Sequence, residues 1–213
     1  RVLEIGCGIG TDTISFARGA PSADILPVDH VKAAADKALA DDWERALSYG
    51  KGAGHPGLRE WVAQAHDLEP EQVMVTNGSL EGGAMLFEHL LGVGDPAVVE
   101  QPSYDRTLLL LQRGGAKLVG VPLEQDGIDV DGLETVLRGP DSPRLVHVIP
   151  NFHNPAGCTL GEDKRHRLVE LAAEHGFTLF EDDPYREVGF AGEPAPTMLS
   201  LDRADRVIYA SSF

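Results

Sequence analysis

The 213-residue chain carries 34 acidic against 18 basic side chains, a formal charge of −16. A surface of that sign repels phosphate backbones and anionic lipid, which argues against nucleic acid and membranes as partners. Apolar runs such as 108–111 fall far short of the roughly 20 residues that span a bilayer. The amino end lacks a signal-peptide pattern, so the cytoplasm is the expected compartment. The length suits one large domain or two small ones. Cys7 and Cys158 lie far apart with no zinc-ligand spacing, so both read as small buried thiols and no metal is expected.

The first segment, "RVLEIGCGIGTD", resembles the first motif of S-adenosylmethionine-dependent methyltransferases: an apolar strand, Glu4, then Gly6, Gly8 and Gly10 in a turn. Glycines there let backbone approach an adenosyl group, and Asp29 lies about 20 residues on, where an acid would take the ribose hydroxyls. Nothing later continues that pattern. Residues 1–13 are therefore expected to be a motif remnant, joined near Thr13 to Ser15 to an unrelated segment, 14–213.

From Val73 onward, short apolar runs alternate with helix-like segments roughly every thirty residues, the spacing of α/β layering. Strands are expected at Val73 to Val75, Ala97 to Glu100, Lys117 to Val121, Leu145 to Ile149, Thr178 to Glu181 and Val207 to Tyr209. Their near-continuous apolar character fits a mostly parallel sheet with helices on both faces. Leu80, Ala84, Phe87 and Leu91 form the stripe of an amphipathic helix. Thr159 and Glu162 have the spacing of a capping box ahead of Leu168, Leu171 and Ala172. "YGKGAGHPG" and "FAGEPAP" read as ordered turns.

Ligands of open parallel sheets bind beyond the carboxyl ends of the strands, so the residues just after each strand matter most. "TNGSLEGG" runs into a helix, and Ser79 serves there either as an N-cap or as part of an anion cradle. In "QPSYD", Tyr104 either packs in the core or stacks on a flat ring. "PNFHNPAG" gathers His153 and Asn154 in one loop, where Asn154 ahead of Pro155 also suits a turn. "DDPY" offers Asp182 or Asp183 and Tyr185, and the last run delivers Ser211 and Ser212. Together these supply an anion cradle, a ring, an amide, a carboxylate, a phenol and hydroxyls at one sheet edge.

With "YGKGAGHPGLR", "TNGS", "QPSY", "NPAG", "EDDPY" and "SSF" in order, the chain from about Ile14 onward resembles the class I and II aminotransferases. These are pyridoxal-phosphate enzymes of the aspartate aminotransferase fold. The closest flavour is the branch of aminoadipate-type transaminases and of the aminotransferase-like domains of some transcription regulators; no winged-helix segment is present. The resemblance implies a large domain binding pyridoxal 5'-phosphate, with an amino acid and a 2-oxo acid as substrates and a homodimer as the working form. By resemblance, Gly78, Ser79, Ser212 and the Leu80 N–H hold the cofactor phosphate, and the family often has Gln where Leu80 stands. Tyr104 stacks on the pyridine ring, and Asn154 and Tyr185 bond its hydroxyl, with Asn154 also helping to seat the substrate carboxylate. Asp182 faces the ring nitrogen, with Asp183 ranked second, and Tyr49 reaches the phosphate of a neighbouring subunit. The family's Schiff-base lysine would fall two positions beyond Phe213, so residues 1–213 are expected to be a fragment that lacks catalysis. Two other readings stand beside this one: a methyltransferase whose later part has diverged, and a non-catalytic binding module that keeps the phosphate cradle.

Overall fold

The computed structural model describes residues 23–140, 142–190 and 192–212. The methyltransferase-like residues Glu4, Gly6, Gly8 and Gly10, the join expected near Thr13, and Cys7 lie outside them. The chain divides into two units, residues 1–52 and 53–213.

In the first unit, a single 3-10 turn, Ala23–Ile25, precedes helix α1, Val28–Leu47, which is broken at Asp42 (φ −146°). None of the α1 side chains is buried. Asp29 stands in the first turn of α1, solvent-exposed and 3.7 Å from Lys32 Nζ. The methyltransferase reading needs an acid at a strand end. A carboxylate at a solvated helix start instead complements the helix dipole.

The second unit runs α2 Pro56–His66, α3 Ser79–Leu90, β1 Pro96–Gln101, α4 Asp105–Arg113, β2 Lys117–Glu124, β3 Gly127–Ile128 and α5 Val130–Leu137. It continues with β4 Leu145–Val148, α6 Glu162–His175, β5 Thr178–Asp182, α7 Met198–Leu201 and β6 Val207–Ala210. The strands form one six-stranded sheet in the order β3-β2-β1-β4-β5-β6. Among the described residues, every pairing is parallel except the β2–β3 hairpin, where Leu123 faces Ile128.

Both faces are covered, as fully apolar strands require. On one face Val98, Val146, Val148 and Leu179 pack with Leu133, Leu168, Leu171 and Met198 from α5, α6 and α7. On the other, Ala97, Val99, Leu145 and Phe180 pack with Phe87 of α3 and Leu111 of α4. The architecture is therefore α/β, with a mostly parallel sheet between two helical layers.

Three local expectations need correction. Val73 to Val75 joins no sheet: the Val75 N–H donates to Ala53 O (2.9 Å) and Arg59 Nε donates to Val73 O (2.8 Å). With its backbone groups satisfied by a turn and a side chain, the segment has no need of a neighbouring strand. The close approach requires glycine at position 54, where φ is +102° and a Cβ would fall 2.6 Å from Val75 Cβ. In α3 the buried positions are Gly83 and Phe87, while Leu80 is exposed, because the helix seats against Phe180 through the small Gly83. Finally, α6 is capped by Gly161 without a side-chain bond, and Thr159 Oγ1 instead accepts from the Phe152 N–H (3.2 Å). Phe152 has φ +47°, and the hydroxyl is drawn into that tight loop, away from the helix start.

Candidate active site

The helix after β1 packs on one face of the sheet and the helix after β4 on the other, although the two strands are neighbours. The direction of strand order thus reverses between the parallel strands β1 and β4, and the diverging loops open a crevice at their carboxyl ends. Tyr104, the N-cap of α4, lies on one side of this switch point, and the loop 149–161 with Asn154 lies on the other. The turns after β5 and β6 bring Asp182, Tyr185, Ser211 and Ser212 to the same edge, since these strands are parallel. The short connection 91–95 joins the end of α3 to the start of β1, so the first turn of α3 points back to that edge too.

At the α3 start, Gly78 is the N-cap, with φ +88°, and no side-chain bond closes it. A Cβ on Gly78 would meet nothing within 4 Å, so the backbone here is bare and open. Ser79 is the first helical residue, not the cap. The first-turn N–H groups, including those of Ser79 and Leu80, have no carbonyl within the helix to bond and present a partial positive charge. The exposed Leu80 side chain adds no polar contact. Glu81 works against an anion: its carboxylate accepts from the Asn77 backbone N–H (2.7 Å) and from Asn77 Nδ2 (3.1 Å) beside this turn.

At the ends of β4 and β5, Asn154 Nδ2 donates to Tyr185 Oη at 3.4 Å, a long bond between two loops. Asp182 and Asp183 have separate fates. Asp183 is fully buried and accepts twice from Asn151 Nδ2 (2.7 and 2.9 Å), and burial raises its pKa. Asp182 points to the α3–α4 face, where Oδ2 lies 3.3 Å from His147 Nε2. Its Oδ1 is buried without a partner. A carboxylate oxygen can only accept, so this atom leaves a place for one donor.

His147, Asn151 and Arg165 are buried polar side chains beside the candidate site that the sequence reading does not single out. His147 was signalled by a polar residue inside the apolar run "LVHV", and it faces Phe180 and Asp182 on β5. Arg165 precedes Leu168, Val169 and Ala172 on the buried stripe of α6 and is itself fully buried. His153, also buried, places Nε2 3.1 Å from Glu100 Oε2, an ion-pair distance without hydrogen-bond alignment. Its Nδ1 accepts from the Ala156 N–H (3.3 Å), so it braces the loop. Ser211 Oγ donates to Asp183 O (3.0 Å), while Ser212 is exposed. Tyr49 belongs to the first unit and is fully exposed. Cys158 is half-buried, and burial pushes its thiol pKa up. Among the described residues, no three His, Cys, Asp or Glu side chains are grouped to hold a metal, and no helix is long and apolar enough to cross a membrane.

Residues 11–213 match the aminotransferase class I and II family, and the chain belongs to it. It is 34% identical to aromatic-amino-acid aminotransferase 1 of Thermococcus litoralis, over 95% of this chain and 51% of that protein. It is also 34% identical to the 2-aminoadipate transaminase of Thermus thermophilus, over 94% of this chain and 51% of the relative. The crystal structure of the alpha-aminoadipate aminotransferase LysN of Thermus thermophilus, complexed with N-(5'-phosphopyridoxyl)-L-leucine, superposes with a TM-score of 0.88 at 34% identity. That match covers 93% of this chain and 51% of the other. The chain thus spans about half the length of the relatives it matches.

Proposed function

We propose that this chain forms the pyridoxal 5'-phosphate cradle of an aminotransferase that moves an amino group between an amino acid and a 2-oxo acid, working as a cytoplasmic homodimer. The observation that carries the reading is the buried, unpartnered Asp182 Oδ1 at the edge where Asn154 and Tyr185 meet. The open Gly78 backbone at the α3 start is the second point of fit. Family membership supplies the reaction class.

When bound, pyridoxal phosphate supplies an electron sink that lets an amino acid release its α-proton. Asp182 would hold negative charge toward the ring nitrogen and favour its protonated form, while His147 fixes the carboxylate through Oδ2. Asn154 and Tyr185 would bind the ring hydroxyl, and Tyr104 would lie against the ring. The first-turn N–H groups of α3, with Ser79 and Ser212, would take the phosphate. Asn154 would also help seat the substrate carboxylate, and Tyr49 would serve a neighbouring subunit's phosphate. No lysine of residues 1–213 stands in a motif that matches the family's cofactor-bearing one, so these residues on their own would bind without turning over.

The test is titration of the chain with pyridoxal 5'-phosphate, followed by absorbance and by dialysis. Saturable binding that dialysis reverses is expected. Binding no tighter than that of inorganic phosphate would reject the ring-recognising part of the proposal.

A further inference from the structure

Asn154 and Tyr185 stand on separate loops, and their mutual position decides whether both reach one ligand atom. A buried side-chain chain joins those loops. Arg165 Nη2 donates to Asn151 Oδ1 (2.8 Å), and Asn151 Nδ2 donates to both Asp183 oxygens (2.7 and 2.9 Å). Asn151 lies three residues before Asn154, and Asp183 two before Tyr185. Arg165, Asn151 and Asp183 are 0%, 3% and 0% exposed, so water does not substitute for any link. The remaining Arg165 donors pin three backbone carbonyls around the same point: Nε on Leu160 O (3.0 Å), Nη2 on Pro150 O (3.2 Å) and Nη1 on Pro196 O (3.2 Å). Glu181 Oε1 lies 3.9 Å from Nη1, and Arg186 Nη1 lies 3.9 Å from Asp183 Oδ2. The planar five-donor fork of arginine suits this convergence, which the point charge of lysine cannot reproduce.

We infer that Arg165 and Asn151 are positioning residues for recognition of the cofactor's ring hydroxyl, holding the Asn154 loop at a fixed separation from the Tyr185 turn. The inference rests on the cofactor reading above. It separates from a merely structural role because a brace that only stabilises the fold weakens every ligand alike, whereas a positioning relay weakens one contact selectively.

The experiment compares binding of pyridoxamine 5'-phosphate with that of its analogue lacking the ring hydroxyl, to the unaltered chain, Asn151→Ala and Arg165→Lys. Neither probe needs a covalent anchor. The unaltered chain is expected to favour the hydroxyl form about tenfold, the worth of one hydrogen bond. Both variants should favour it about twofold or less, while binding the analogue within about twofold of the original. Asn151→Ala leaves the three Arg165–carbonyl bonds in place and so retains the fold if the inference holds. An Asn151→Ala chain that fails to fold, keeps the tenfold preference, or loses both probes equally overturns it. An unaltered chain that binds neither probe, or does not discriminate, overturns the cofactor reading and this inference with it.

Discussion

Replacing Glu181 with Gln tests the buried network beneath the site, and its outcome depends on pH in a defined direction. Glu181 is fully buried on β5 and accepts from the backbone N–H groups of Met198 (2.9 Å) and Leu199 (3.0 Å) at the start of α7. Burial raises its pKa from 4.5 to about 7, with the two N–H bonds and Arg165 opposing and Asp183 adding to the rise. Because the folded value lies above the unfolded one, the folded chain holds a proton between those values that the unfolded chain has lost. Stability from this group is therefore complete below about pH 4.5 and declines as pH rises to about 7. At about 1.4 kcal/mol per pKa step, the decline amounts to at most about 3 kcal/mol. A glutamine in its place lacks that titration but offers one acceptor to two N–H groups, which costs about 1 kcal/mol at every pH. Urea unfolding should thus find Glu181→Gln less stable at pH 5 and equal to or more stable than the unaltered chain at pH 8. A stability difference that stays constant from pH 5 to pH 8 would refute this reasoning.

Asp182→Asn removes the charge expected to face the ring nitrogen. Affinity for pyridoxamine 5'-phosphate should fall by roughly ten- to a hundredfold, the range of a charge-assisted hydrogen bond, and an unchanged dissociation constant would count against that role. Glu81→Gln takes a negative charge away from the α3 start while keeping an acceptor for Asn77. Phosphate-ligand affinity should rise about two- to fivefold at low salt, and the gain should shrink in 1 M salt; a loss of affinity would show that Glu81 supports the cradle. Deleting residues 1–12 should leave the urea midpoint and cofactor affinity nearly unchanged, whereas a large drop in either would make "VLEIG" an integrated strand.

The strands legible in the sequence include the central β1, β4 and β5, which are buried on both faces, and the less buried β2 and β6. β1, β4 and β5 are near-continuous apolar runs because helices cover both sides, and that pattern is local. Val73 to Val75 has a similar composition, yet its partners are Ala53 O and Arg59, a pairing set by distant residues that no local pattern encodes. The two-residue strand β3 is too short to show a period. At the site, order and spacing brought forward Asn154, Asp182 and Tyr185, and the structure places Asn154 against Tyr185. Alternation along an extended chain accounts for the divergence of the neighbouring Asp182 and Asp183. What occupies each of them, His147 for one and Asn151 for the other, depends on strand register and helix packing, which only the folded chain displays. Arg165 was hidden because a charged residue on an apolar stripe reads as surface until its carbonyl partners are seen.

We propose that residues 1–213 hold a cofactor cradle without the amine that performs the chemistry. The most direct test compares this chain with one continued through the lysine that the family carries after Ser-Phe and on to the relatives' full length. Each is treated with pyridoxal 5'-phosphate and borohydride, mapped by peptide mass, and assayed for amino-group transfer to a 2-oxo acid. Residues 1–213 should give reversible binding, no specific adduct and no transfer, and the continued chain should gain both adduct and turnover. Transfer by residues 1–213, or a stable adduct at Lys51 or at Lys164, which is paired with Glu124 and Asp126, would contradict the account.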